Sequence, residues 1–186
     1  MGWWIVLAIV VVIALFLIVL YNRLVALRQT VNQAWADITV QLKQRSDLVP
    51  NLVETVKGYA AHERGTLEAV VKARNAAVSA TSPEAKAQAE NMLSGALRQL
   101  FALSEAYPDL KANQNFLQLQ SELSDLENKI AASRRFVNNA VQEYNTSIQQ
   151  FPAALIAGPF GFTPQTFFAL DEAEMKSVQT APSVKF

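Results

Sequence analysis

His62 and Glu63 stand side by side near the end of "SDLVPNLVETVKGYAAHERG", residues 46–65. His62 is the only histidine of the chain. An imidazole next to a carboxylate has the groups for general acid–base work, because the ring titrates near neutrality. The pair is not the helical zinc motif H-E-x-x-H, since Thr66 holds the place of the second histidine. Cysteine is absent, which excludes thiolate nucleophiles, disulfides and Cys-based metal sites. The sequence also lacks a nucleophile elbow, a phosphate-cradling glycine loop and a dinucleotide fingerprint. The expectation is therefore a protein with no catalytic residue, no cofactor, no metal and no small-molecule substrate. An enzyme using His62 and Glu63 ranks third among the readings of function.

Charge points the same way. Lys and Arg number 16, Asp and Glu 16, so no net field recruits nucleic acid. The basic patch Lys129, Arg134 and Arg135 is interleaved with Glu122, Asp125, Glu127 and Glu143, which reads as a solvated helix face.

The elements that would hold such residues are helical almost throughout. Leu24, Val31, Ile38, Leu52 and Tyr59 repeat on one heptad position, and Trp35, Leu42, Val49 and Val56 on the other. The seam continues through Leu67, Val70, Arg74 and Ala77. A second segment opens at Thr81, with Thr81 and Glu84 as a capping-box pair around Pro83. It presents Ala89, Leu93, Leu97, Leu100, Leu103 and Tyr107 and ends at Pro108. A third segment, with Asp109 as its N-cap, repeats Phe116, Leu123, Ile130, Val137, Tyr144 and Phe151, beside Leu119, Leu126 and Ile148. Loop signals fall near residues 81–83, 107–109 and 152. Two arrangements fit. A long hairpin results if Pro108 only kinks its path, and a compact bundle results if Pro50 and Pro108 both break their helices. A hairpin alone buries too little, so the bundle is expected, with self-association in either case.

Within that frame the opening stretch is mostly core. Pro50 marks a kink or a helix start capped by Ser46 or Asp47, Gly58 and Gly65 soften the segment, and His62 becomes a polar-face or interface residue. Arg45 and Arg74 occupy seam positions where apolar residues are expected. A buried arginine there needs a carboxylate or several carbonyls and would fix register or receive a partner. The other reading is that both snorkel to the edge of the stripe. Arg45, Pro50, Gly58, His62, Arg74 and Pro108 are accordingly the candidate interface or hinge residues.

Two flanking regions differ from the bundle. Trp3 to Tyr21 is an unbroken apolar run, about the 20 residues that cross a bilayer, with Trp and Tyr at its ends. It lacks the basic n-region and cleavage site of a signal peptide, so a retained single-pass anchor is expected. Arg23 and Arg28 on its C-terminal side favour an outside N-terminus and a cytoplasmic domain. The tail "FPAALIAGPFGFTPQTFFAL" is irregular and apolar. Phe160, Phe162, Phe167 and Phe168 either cap the open end of the bundle or touch the bilayer or a neighbouring subunit. Beyond it, "EAEMKSVQTAPSVKF" reads as polar and frayed, with Val184 and Phe186 able to pin the last residues.

The stretches "YNRLVALRQTVNQAWADITVQLKQRSDLVPNLVETVKGYAAHE", "YPDLKANQNFLQLQSELSDLENKIAASRRFVNNAVQEYNTSIQQFP" and "GFTPQTFF" together resemble the LemA family. The resemblance implies a bacterial membrane-anchored protein with a helical domain and no established biochemical activity. It also implies relatives tied to membrane remodelling around organelles and others that lie beside a membrane metalloprotease. This chain has Leu126 where Thr is usual, and Phe136–Val137 where an aromatic followed by Asn is commoner.

Residues and resemblance combine into one expectation. The fold is all-α: an N-terminal transmembrane helix (1–22), a long-helix antiparallel bundle of three to four helices (23–151) and an irregular apolar tail (152–186). The expected function is a self-associating scaffold or adaptor in the bacterial inner membrane, organising or remodelling that membrane. Its partners are the lipid bilayer, further copies of itself and a membrane protein. The alternative is a regulatory or sensing partner of a membrane enzyme such as a metalloprotease.

Overall fold

The computed structural model describes residues 2–168, and these form helices and turns with no strand. Six helices follow in order: α1 (Gly2–Lys57), α2 (Arg64–Ser79), α3 (Pro83–Ser104), α4 (Pro108–Lys111), α5 (Gln114–Gln149) and α6 (Ala154–Ala157). The readings placed on Val184, Phe186 and the rest of the tail past Phe168 lie outside the described residues.

The chain divides into two compact units. One holds the residues up to Asp37 together with Ser133–Phe167, and the other holds Ile38–Ala132 together with Phe168. In the first unit, Leu24, Val31 and Ala34 of α1 are buried, as are Val137, Val141, Tyr144 and Ile148 of α5. The apolar opening of α1 belongs to the same unit but has no cover, with Trp3 78% and Val19 65% exposed.

In the second unit a continuous core joins Val49, Leu52 and Val56 of α1 to Val70 and Ala77 of α2, Leu93 and Leu100 of α3, and Phe116 and Leu123 of α5. Side chains of this size each contribute about 1.5–3 kcal/mol when fully buried. The Phe101 and Phe116 rings meet edge to face at 6.2 Å. Helices α2 and α3 pack against one another across a short link.

The bundle arises at a different break from the one expected. Pro50 lies inside α1 and does not break it. Val49, Leu52 and Val56 keep the same face buried on both sides of the proline, which is itself exposed, so packing outweighs its helix-breaking tendency. The chain instead leaves the helix at Gly58. Tyr59 and Ala60 both donate their N–H groups to the Val56 carbonyl, at 3.0 and 2.8 Å, and Ala60 is buried. Tyr59 thereby leaves the seam and is 44% exposed.

Pro108 does interrupt the return path, opening the short α4. The caps are shifted. Ser82, not Thr81, caps α3, its hydroxyl accepting from the Ala85 N–H at 3.2 Å. Pro83 forces its predecessor into extended backbone, φ −87° and ψ 151°, the geometry an N-cap needs. Asp109 falls in the first turn of α4, and Asn113 caps α5 by accepting from the Phe116 N–H at 3.0 Å. Because α5 stops at Gln149, Phe151 falls off its heptad row and is 82% exposed.

Pro50 leaves a carbonyl to be filled. It has no N–H to give the Ser46 oxygen one turn back, and Arg74 Nε donates to that oxygen at 3.3 Å. Arg74 is half-buried, and its Nη1 donates to Asn75 Oδ1 at 3.3 Å on the exposed side. Arg74→Ala is expected to destabilise the full chain in detergent by about 1–2 kcal/mol, because it orphans this carbonyl. In a Pro50→Ala background the helix supplies its own donor and most of that loss vanishes. Urea unfolding of both single variants and the double variant reads the coupling.

Candidate functional site

Arg45 is fully buried and lies between Ile38 and Leu52 on the seam of α1. Its Nη1 donates to Ser94 Oγ at 2.7 Å and to the Glu127 carboxylate. Its Nη2 donates to the Glu90 carbonyl at 3.2 Å and to the Glu90 carboxylate. Ser94 Oγ in turn lies 3.2 Å from Glu127 Oε1, so the hydroxyl accepts from the guanidinium and donates to the carboxylate. Arg45 Nε has no hydrogen-bond partner.

The Glu90 side chain is 2% exposed and the Glu127 side chain 38%. Three helices, α1, α3 and α5, therefore meet at one cation. Snorkelling is overturned for Arg45, because two carboxylates and a serine satisfy it in place. Sequence reasoning required such a carboxylate but did not find Glu90. The signal was present, since Glu90, Leu93 and Leu97 share one helical row with an acid where an apolar side chain is expected.

The Ser94 hydroxyl, the one group here that could act as a nucleophile, is held between the guanidinium and the Glu127 carboxylate. Its chemistry is positional. Among the described residues no group of three or more His, Asp or Glu side chains is placed to hold a metal ion.

A second polar cluster ties the α1–α2 linker to the α3–α5 linker. The Tyr107 hydroxyl donates to Glu63 Oε1 at 2.9 Å, and Asn113 Nδ2 donates to the Tyr59 hydroxyl at 2.9 Å. Hydrogen bonding to Glu63 raises the Tyr107 pKa above its ordinary value, with desolvation and the carboxylate charge acting in the same direction. Glu63 is thus engaged with Tyr107, while His62 is exposed. Gly58 opens the first of these linkers, Pro108 lies within the second, and Pro50 is exposed on α1.

In the first unit the tail folds onto the foot of α1. Phe160 and Phe162 meet the Tyr21 ring edge to face, at 5.2 and 5.5 Å, and the Arg28 guanidinium lies 5.0 Å over the Phe162 ring. Asn145 holds the Gln165 backbone by a reciprocal pair of 2.8 Å hydrogen bonds. Gly161, at φ +73°, allows the Phe162 N–H to reach the Ala157 carbonyl at 2.9 Å. The four tail phenylalanines separate into two classes. Phe162 and Phe168 are buried within the chain, which removes them from the set expected to face a bilayer or another subunit. Phe160 and Phe167 are 59% and 47% exposed. Burial raises the Tyr144 pKa, and the nearby Arg28 charge works against that rise.

Arg45→Met is expected to destabilise the full chain by about 3–5 kcal/mol, because it leaves Glu90 buried without countercharge. Arg45→Met combined with Glu90→Leu recovers most of that loss in urea unfolding, and Glu127→Gln costs less because its carboxylate reaches water. Tyr107 titrates above the ordinary tyrosine range in ultraviolet difference spectra against Tyr107→Phe, and Glu63→Gln brings it back down. Its raised pKa contributes stability that is complete below the ordinary value and is lost as pH rises through the raised one.

The sequence profile of the LemA family matches residues 34–186. The chain is 30% identical over 165 residues to "Protein LemA" of Metamycoplasma hominis, covering 86% of this chain and 74% of that protein. It is 23% identical over 178 residues to "Magnetosome protein MamQ" of Magnetospirillum gryphiswaldense, covering 82% of this chain and 65% of that protein. "Magnetosome protein MamQ 2" of Paramagnetospirillum magneticum is 25% identical over 178 residues, with the same coverages of 82% and 65%. The chain therefore spans just under two thirds of the length of the magnetosome relatives.

Proposed function

The chain belongs to the LemA family, and from that premise we propose that it is a membrane-anchored, self-associating helical scaffold with no catalytic activity. The supporting observation is the opening of α1. Its apolar span is long enough to cross a bilayer, and none of it is buried within the chain. Folding closes a core around Val49, Leu93 and Phe116 yet leaves Trp3 to Val19 bare, and a hydrocarbon layer is the solvent that suits such a surface. The magnetosome relatives support the reading at the level of membrane association. The location is the bacterial inner membrane, with the N-terminus outside and the domain cytoplasmic, because Arg23 and Arg28 follow the span.

Self-association draws support from α2. Val71 and Val78 lie seven residues apart on its outer face and are 41% and 57% exposed. The second reading, a regulatory partner for a membrane enzyme such as a metalloprotease, draws on a groove of about 660 Å³ beside them. Val53, Leu67 and Val71 form its apolar part, and Glu54, Lys57, Arg64 and Glu68 its charged rim.

Native-membrane purification separates these readings. The full chain stays with the membrane through an alkaline carbonate wash, and detergent particles exceed the monomer mass in light scattering. Release by carbonate removes the anchor, and a strict monomer at every concentration removes the scaffold. A stoichiometric second polypeptide on a monomeric chain replaces the scaffold with the adaptor. Full cellular function in a folded His62→Ala/Glu63→Ala variant ends the enzyme reading.

A further inference from the structure

The turn after α5 has two apolar faces, and the chain covers only one. Ala153, Ala157 and Phe162 are buried, whereas Phe151, Leu155 and Phe160 are 82%, 67% and 59% exposed. Five of its backbone donors are paired within it. The N–H groups of Ala154, Leu155, Ile156, Ala157 and Phe160 all donate within the segment, to carbonyls between Gln150 and Ile156, at 2.9–3.1 Å. The bare face therefore enters an apolar medium without carrying these donors unpaired.

Position and charge identify the medium. Phe160 packs on Tyr21, which closes the apolar run of α1. A tyrosine at the end of a spanning helix sits at headgroup level, and Phe160 of the bare face lies against it. No charged side chain occurs between Glu143 and Asp171, so the segment brings no ion to desolvate.

We propose that the turn from Phe151 to Phe160 is a second membrane contact, seated in the interfacial layer of the bilayer that α1 crosses. The proposal rests on the reading of α1 as an anchor. The occupant is lipid, because the face is continuous with the anchor's own lipid-exposed surface at Tyr21. Phe162 and Gly161 set its angle: the first is clamped between Tyr21 and Arg28, and the second supplies the left-handed residue that turns the chain beneath it.

The absence of native cysteine permits single-site spin labels on the full chain. Leu155→Cys, Val11→Cys and Gln88→Cys are labelled separately and placed in phosphatidylcholine–phosphatidylglycerol nanodiscs. Power saturation then compares accessibility to oxygen with accessibility to a water-soluble nickel chelate. The oxygen-to-nickel ratio at Leu155→Cys is expected to approach that of Val11→Cys, in the apolar span, and to exceed several-fold that of Gln88→Cys, exposed on α3. A water-like ratio at Leu155→Cys with a lipid-like ratio at Val11→Cys overturns the second contact and leaves the anchor standing. Protection of Leu155→Cys from both reagents overturns it in favour of a protein subunit. A water-like ratio at Val11→Cys removes the anchor, and the proposal falls with it.

Discussion

A guanidinium taken out of water must be given acceptors and countercharge, and in this chain that demand falls on two helices at once. Glu90 and Ser94 lie one turn apart on α3, while Glu127 comes from α5, and all three reach the same Arg45 head group. Apolar stripes tolerate sliding by a turn, because one leucine replaces another with little loss. An ion cluster does not, since a shift of one turn would strand Glu90 in a dry core. The heptads thus supply attraction, and Arg45 selects which of several similar registers the helices of its unit adopt.

Pro50 and Arg74 work in the same manner on a smaller scale. The proline removes a backbone donor from α1, and the freed Ser46 carbonyl is met by a side chain of α2. Arg45 draws its acceptors from α3 and α5, and Arg74 meets a polar need that Pro50 creates on α1. Neither is left as a free surface charge. The polar ties at Tyr59, Glu63, Tyr107 and Asn113 extend the pattern to the linkers, where hydrogen bonds between loops do what packing does between helices.

Much of this was legible from periodicity. The rows through Leu42, Val49 and Val56 and through Phe116, Leu123 and Ile130 are buried as read, because a seven-residue repeat can be satisfied only by a helix face. Helix ends were less legible. Pro50 is a stronger sequence signal than Gly58, yet the break occurs at Gly58, because burial on both sides of the proline outweighs local preference. The caps moved by one residue at Ser82 and by four at Asn113, where backbone geometry chose among neighbouring polar side chains. Arg45 was recognisable as an anomaly from its seam position alone. Its partners were not, since the residues that answer it are far away in the chain and only Glu90 interrupts an apolar row.

That separation in sequence also orders events in time. Arg45 reaches Glu90 across 45 residues and Glu127 across 82, whereas α2 and α3 are joined by a short link. Closing a long loop costs more entropy than closing a short one, so the neighbouring pair can assemble while the guanidinium is still hydrated. The charge can be dried only after the chain has turned three times, after α1, α2 and α3, and brought both acids into place. Arg45 thereby acts as a checkpoint on topology: a chain that has collapsed with its helices in the wrong order still holds water at that point of the core.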